Sequence, residues 1–118
     1  MKKKLFDEID RLKYSMINDL LKLISIPSKR GVSTDDAPYG LEAKNILLKA
    51  RDILNREGFE TKLVDNKLVY GNYGESKEYI GIFGHLDVVD EGDLTKWSSN
   101  PYMGDIRNNK IYGRGFIR

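Results

Sequence analysis

The sequence predicts an α/β fold in which two amphipathic helices pack on a mixed β-sheet. Apolar residues of the first half recur at steps of three and four, as on one face of a helix. After Gly58 the period changes, and β-forming residues alternate or cluster. With 118 residues, 40% of them hydrophobic, the chain has enough sequence for a single core. We therefore expect one domain over residues 1–118.

The first predicted helix covers the amino-terminal segment and ends before Pro27. The residue that precedes a proline is disfavoured in the helical region, so the helix should stop there and residues 28–36 should form a polar loop. The apolar face of this helix consists of Leu5, Ile9, Leu12, Met16, Leu20 and Leu23.

The second predicted helix begins at about Tyr39 and ends just before Gly58. Glycine suits the left-handed position that follows the last turn of a helix, so Gly58 is the expected cap. The apolar face of this helix consists of Ala43, Ile46, Leu47, Ala50, Ile53 and Leu54.

Three strand regions follow the helices. Residues 59–73 alternate as a hairpin that turns at Asn66-Lys67, and residues 105–112 form a shorter hairpin that turns at Asn108-Asn109. Between them, the apolar run Tyr79–His85 predicts a strand that is buried on both faces.

A loop from Val88 to Asp105 shows no period, and loops of this length tend to be functional. It carries the acidic residues Asp90, Glu91 and Asp93, which are more typical of a solvated loop than of a metal or substrate site. Trp97 is more typical of a plug that holds the loop against the domain than of a substrate platform.

Composition and charge narrow the class of protein. A formal net charge of +2, with only Lys2-Lys3-Lys4 clustered, gives no electrostatic basis for nucleic-acid binding. No apolar stretch approaches the roughly 18 residues of a membrane span, and no signal-peptide pattern follows the lysines. We expect a cytoplasmic protein with no membrane partner. The absence of cysteine leaves imidazole and carboxylate as ligands for any transition metal.

His85, the only histidine, lies two residues before Asp87. Side chains at i and i+2 of a strand share a face, so the carboxylate could accept the second imidazole N–H of a metal-bound histidine. On residue type alone, a structural histidine is the commoner alternative. Gly81 and Gly84 are consistent with close approach of a ligand, and equally with a bulge.

Several motifs, in this order and spacing, resemble the dinuclear-zinc exopeptidases that include carnosinases, aminoacylases and bacterial dipeptidases. The stretches Asp36–Gly40 and Gly58–Thr61 are most similar to the bacterial Xaa-His dipeptidase branch. The other motifs are Gly84-His85-Leu86-Asp87-Val88-Val89, Gly92-Asp93, Trp97, Pro101-Tyr102 and Ile111-Tyr112-Gly113-Arg114-Gly115.

The resemblance implies a zinc-dependent dipeptidase in which His85 binds one of two zinc ions and the catalytic residue Asp87 braces it. The family's reaction uses a metal-activated water on a dipeptide or short peptide. The family's bridging aspartate corresponds to position 118, where this chain has Arg118. A cation there would repel zinc. We therefore expect no peptidase activity, and weak or no zinc binding, from this chain alone.

The resemblance also implies a truncated part of a zinc-exopeptidase catalytic domain, without the lid or dimerisation domain. A sheet edge beside the His85 strand would then be exposed and could support self-association. Two alternatives remain at this point: a non-catalytic α/β remnant or binding module, and an unrelated metal-dependent hydrolase of phosphate esters. The acidic loop disfavours the second, because basic residues would be expected near a phosphate site.

Overall fold

The computed structural model describes residues 1–115 and confirms the α/β class. Two helices come first, and the strands form two separate antiparallel hairpins. The elements are α1 Lys2–Ile24, α2 Leu41–Arg56, β1 Glu60–Val64, β2 Leu68–Asn72, a short 3-10 helix Leu94–Lys96, β3 Asp105–Arg107 and β4 Lys110–Tyr112. Within residues 1–115, neither helix combines the length and the apolar content needed to cross a bilayer.

The two helices lie where the periodicity predicts them and contact each other. Asp19 on α1 accepts hydrogen bonds from the guanidinium of Arg56 on α2, one of them at 2.9 Å between Nη1 and Oδ1. Ile24 and Ile46 are buried, one on each helix. By contrast, the amino-terminal half of the α1 apolar stripe is exposed, with Leu5 at 60%. Among residues 1–115, the rest of the chain therefore packs against α1 only near its carboxyl end.

Gly58 ends α2 as predicted. Its φ of 88° is in the left-handed region, where a residue without Cβ carries no steric penalty. Its N–H donates to the Asn55 carbonyl at 3.1 Å, and the Phe59 N–H donates to the Leu54 carbonyl at 3.0 Å. These bonds satisfy carbonyls that the end of a helix would leave without donors.

Both predicted hairpins form. In the first, Leu63 pairs with Val69, and the turn uses Asp65 and Asn66, one residue earlier than predicted. Both turn residues have positive φ, a conformation that Asp and Asn tolerate far better than Lys67 would. In the second, Asn108-Asn109 turns as predicted.

The prediction of a buried strand at Tyr79–His85 is wrong for this structure. The segment has no regular secondary structure, and Ile80, Ile82 and Phe83 are 92%, 94% and 97% exposed. A strand exists only where a neighbour supplies backbone partners, and both hairpins pair within themselves. Among residues 1–115, no backbone hydrogen bond joins this segment to either hairpin.

The loop before α2 turns sharply at Gly40. Its φ is 97°, and a Cβ there would lie 2.6 Å from the Cα and the backbone nitrogen of Gly31. The Gly31 N–H donates to the Tyr39 carbonyl at 2.9 Å, so the two backbone segments are held in direct contact. Only glycine fits at position 40.

Gly40→Ala should destabilise the protein more than Gly74→Ala does. Gly74 has a similar φ of 86° but open space where the Cβ would be, so it reports the cost of the backbone conformation alone. Overpacking against Gly31 should lower the free energy of unfolding by a further 1–3 kcal/mol, roughly. Urea denaturation of the two variants measures the difference, and equal losses would contradict the proposed close contact.

Candidate functional site

The structure brings His85 and Asp87 together. His85 Nδ1 lies 3.2 Å from Asp87 Oδ1 and 3.1 Å from the Asp87 carbonyl oxygen. Both side chains are mostly exposed, at 83% and 76%. A proton on Nδ1 would be donated to Asp87, which leaves Nε2 as the nitrogen able to bind a ligand. The predicted contact is therefore present although the predicted strand is not.

The segment that carries the pair is held by Ser28, a fully buried residue in the loop after α1. Its hydroxyl donates to the Leu86 carbonyl at 2.7 Å, and its own carbonyl accepts from the Val88 N–H at 3.3 Å. Ser28 thus binds the backbone on both sides of Asp87. A buried hydroxyl must be hydrogen-bonded to avoid a desolvation cost, so this contact also satisfies Ser28 itself.

Beyond Val88, three side chains that we call the Glu91 cluster hold the loop: Lys29, Glu91 and Tyr102. Glu91 Oε2 accepts from Lys29 Nζ at 2.6 Å and from the Tyr102 hydroxyl at 2.6 Å. The hydrogen bond from Lys29, followed by that from Tyr102, lowers the pKa of Glu91 to about 2. Burial, followed by the bond to Glu91, raises the pKa of Tyr102 to about 12.

Trp97 and Arg114 add two further contacts to this loop. Trp97 is half-buried, and its indole N–H donates to the Glu91 carbonyl at 3.0 Å, which is the loop-holding role expected of it. Arg114 Nε donates to the Val89 carbonyl at 2.9 Å. The Gly-Arg-Gly motif thereby lies against the segment that follows Asp87.

The carboxylates of Asp90 and Asp93 stabilise the loop by accepting hydrogen bonds. Asp90 accepts from the Gly92 N–H at 2.8 Å and from Lys29 at 3.2 Å, and these bonds lower its pKa, the Gly92 bond most. Asp93 accepts from the hydroxyl and the N–H of Thr95 at 2.7 and 3.0 Å, and both bonds lower its pKa. Neither carboxylate contributes to the His85–Asp87 contact.

The described residues do not complete a zinc site. Residues 1–115 contain no group of three or more His, Asp or Glu side chains arranged to hold a metal ion. A catalytic zinc has about three protein ligands, and here one imidazole meets one carboxylate. Arg118, which the resemblance places at the bridging position, lies outside the described residues.

A cavity of about 380 Å³ opens beside the pair, between α2, β2 and the segment Gly84–Asp87. Its walls are apolar where Ile46 and Leu68 contribute, and Arg30 and Lys67 add positive charge. This volume is within the range of small-molecule sites.

Sequence reasoning missed Ser28 and Lys29 as residues that support the pair. Tyr102 and Arg114 were named as parts of motifs, but the sequence did not show which contacts they make. The one available signal was the polar character of residues 28–36 after Pro27, which predicts a loop but not its contacts.

The chain is similar to curated bacterial proteins whose names identify them as dipeptidases. It is 34% identical over 112 residues to "Putative dipeptidase YtjP" of Bacillus subtilis, an alignment that covers 93% of this chain and 24% of YtjP. It is 38% identical over 104 residues to a "Putative dipeptidase" of Staphylococcus epidermidis, which covers 86% and 22%. A Staphylococcus aureus protein, "Putative dipeptidase SAUSA300_1697", is 32% identical over 113 residues, covering 94% and 24%.

The chain is similar to part of each of these proteins. It spans about a quarter of the length of the curated relatives that it matches, 22–24% in these three alignments. No family model matches the chain. The alignments cover 86–94% of the chain, so the His85–Asp87 pair falls within the region that is similar to these proteins.

The Glu91→Gln variant should have a lower free energy of unfolding than the wild type at neutral pH. This difference should shrink as the pH falls. The pKa of Glu91 is lowered in the folded state, so its charge stabilises the fold above the ordinary value of 4.5. This contribution disappears as the pH falls from about 4.5 toward about 2. Urea denaturation at a series of pH values measures the gap between the two proteins.

Glu60→Gln, at an exposed carboxylate on β1, is the matched control for this series. Two results would show that the Glu91 cluster does not hold the loop. One is a difference in the free energy of unfolding between wild type and Glu91→Gln that stays constant from pH 7 to pH 3. The other is a difference that equals the one for Glu60→Gln at every pH.

Proposed function

We propose that this chain is part of a zinc-dependent dipeptidase and supplies it with one metal-binding imidazole, that of His85. The observation that carries the proposal is the contact of His85 with Asp87 at 3.1–3.2 Å, in a region related to dipeptidases. An imidazole whose Nδ1 is held by a carboxylate presents Nε2 in a fixed direction, which is the common arrangement of metal-bound histidines.

The rest of the metal site is proposed to come from a portion equivalent to the remaining length of the relatives. This part of the proposal is supported by the 24% coverage of YtjP and by the absence of a three-ligand group among residues 1–115. Dipeptides or short peptides are the proposed substrates, and the cytoplasm is the proposed location.

Each supporting residue has a defined part in this proposal. Asp87 orients the imidazole, and Ser28 holds the backbone of Leu86 and Val88 on either side of Asp87. The cavity beside His85 offers apolar walls and the cations Arg30 and Lys67 to a ligand with a carboxylate.

A non-catalytic α/β module is the second candidate. It is favoured by one observation, that residues 1–115 assemble no three-ligand group. The two candidates differ in whether His85 matters to hydrolysis when the rest of a dipeptidase is present.

A chimera of YtjP in which residues 1–115 of this chain replace the matching region, so that YtjP supplies the residue at the position of Arg118, should hydrolyse dipeptides in the presence of zinc or manganese. His85→Ala in the chimera should lower kcat/KM by at least about a hundredfold, and Asp87→Asn by about 10–100-fold, as is usual for the carboxylate partner of a metal-bound histidine. Tyr14→Ala, at a 78% exposed side chain on α1, is the control and should leave the rate unchanged. A folded, active chimera that is indifferent to His85→Ala would support the non-catalytic module.

The isolated chain should not hydrolyse simple dipeptides, and it should bind zinc only weakly. One metal-binding imidazole, with a carboxylate that orients it, falls short of the about three protein ligands that a catalytic zinc requires. Calorimetric titration with zinc and a dipeptide assay check both expectations. Hydrolysis that disappears in His85→Ala would contradict the account, because it would mean that the chain completes its own site.

A further inference from the structure

The backbone carbonyl of Asp87 is a second acceptor for the His85 imidazole. His85 Nδ1 lies 3.1 Å from this oxygen and 3.2 Å from the carboxylate oxygen Oδ1. A carbonyl oxygen accepts a hydrogen bond but cannot donate one, so the contact requires a proton on Nδ1. We propose that Ser28 is a positioning residue for His85 and that it acts through the backbone of Asp87. As a step in preparing a metal ligand, this positioning rests on the proposed function.

Ser28 fixes the two peptide groups that flank Asp87. Its hydroxyl donates at 2.7 Å to the Leu86 carbonyl, which belongs to the peptide group before Asp87. Its carbonyl accepts at 3.3 Å from the Val88 N–H, which belongs to the peptide group after Asp87. Each peptide group is planar, so the only soft backbone dihedrals between these two planes are φ and ψ of Asp87. One buried residue therefore sets both dihedrals.

The same planes decide where the Asp87 carbonyl points. The peptide bonds described within residues 1–115 are all trans, and the C=O and N–H of a trans peptide group point in opposite directions. The Val88 N–H is directed to Ser28, so the Asp87 carbonyl in the same plane is directed away from Ser28. It meets His85 Nδ1 there. The link from Ser28 to the imidazole consequently runs through a single rigid unit.

Ser28 is suited to act as a fixed reference, because it is fully buried and its own backbone is held. Its N–H donates to the Ile26 carbonyl at 2.8 Å, across Pro27, whose ring restricts φ. The next residue, Lys29, donates its N–H to the Pro27 carbonyl at 2.6 Å. The N–H, the C=O and the hydroxyl of Ser28 are thus all engaged, so the residue has little freedom to turn.

The two acceptors at Nδ1 differ in what holds them. The carboxylate of Asp87 is on a side chain that turns about two torsions, whereas the carbonyl is part of a peptide plane that Ser28 holds. The carbonyl should therefore keep the proton on Nδ1, and leave Nε2 available to a metal, without help from the carboxylate. The carboxylate adds a stronger, charge-assisted hydrogen bond when the imidazole is charged.

Nitrogen-15 NMR of the full chain, under mildly alkaline conditions and without metal, tests this role. Asp87→Ala removes the carboxylate and keeps the carbonyl, so the proton should remain mainly on Nδ1. Ser28→Ala should lower the ratio of Nδ1 to Nε2 protonation roughly 2–10-fold, the effect of one ordinary hydrogen bond. The double variant should lower this ratio further than Asp87→Ala alone. Ser25→Ala is the matched control and should leave the ratio unchanged, since its hydroxyl donates at 2.8 Å to the Lys22 carbonyl within α1.

Three results would overturn the proposal. One is a proton found mainly on Nε2 in Asp87→Ala, because the carboxylate alone would then orient the ring. Another is a folded Ser28→Ala whose ratio matches the wild type. The third is a shift in Glu91→Gln as large as in Ser28→Ala, because general loosening of the loop would then be the cause. Asp87→Ala alters an exposed side chain, so it tests the carbonyl even where helical circular dichroism shows that Ser28→Ala does not fold.

The proposed function has its own test in the chimera, where His85→Ala addresses hydrolysis. A chimera indifferent to His85→Ala, combined with a tautomer that depends on Ser28, would contradict the dipeptidase role and support the positioning. A tautomer indifferent to Ser28, in a chain whose chimera needs His85, would overturn the positioning alone.

Discussion

The geometry of the candidate site depends on Ser28. This small residue is fully buried, and it bonds the backbone of Leu86 and Val88, which lie on either side of Asp87. A segment of otherwise exposed chain is thereby fixed at one point relative to α1. Loss of the hydroxyl would leave the Leu86 carbonyl without its donor, and an unsatisfied buried polar group costs about 1–3 kcal/mol.

The Glu91 cluster extends this support from the backbone to the loop. Lys29 follows Ser28 directly, so a single turn of chain after α1 supplies both the hydroxyl that holds Leu86 and the ammonium that holds Glu91. The loop that follows the His85–Asp87 pair is consequently stabilised by polar contacts more than by a hydrophobic core. The apolar side chains of Tyr79–Phe83, just before the pair, are exposed among residues 1–115.

Local patterns predicted a large part of this structure. Helix faces, the glycine cap at Gly58 and turn residues such as Asn108-Asn109 depend on short-range preferences that a sequence displays directly. The contact of His85 with Asp87 was predictable for the same reason, since it spans two residues. The prediction of a strand at Tyr79–His85 was wrong, because strand formation depends on a neighbouring strand that no local pattern reveals. Ser28, Lys29 and Tyr102 make their contacts with segments that are distant in the sequence, so spacing gave no indication of these contacts.

The most direct test of the account is the protonation of the one imidazole in the chain. Since His85 is the only histidine, its nitrogen-15 NMR signals need no assignment among competitors. Under mildly alkaline conditions, where an imidazole is neutral, the account predicts that the proton resides on Nδ1, held by Asp87, and that added zinc perturbs Nε2. A proton found on Nε2 would contradict the proposal that Asp87 prepares His85 to bind a metal.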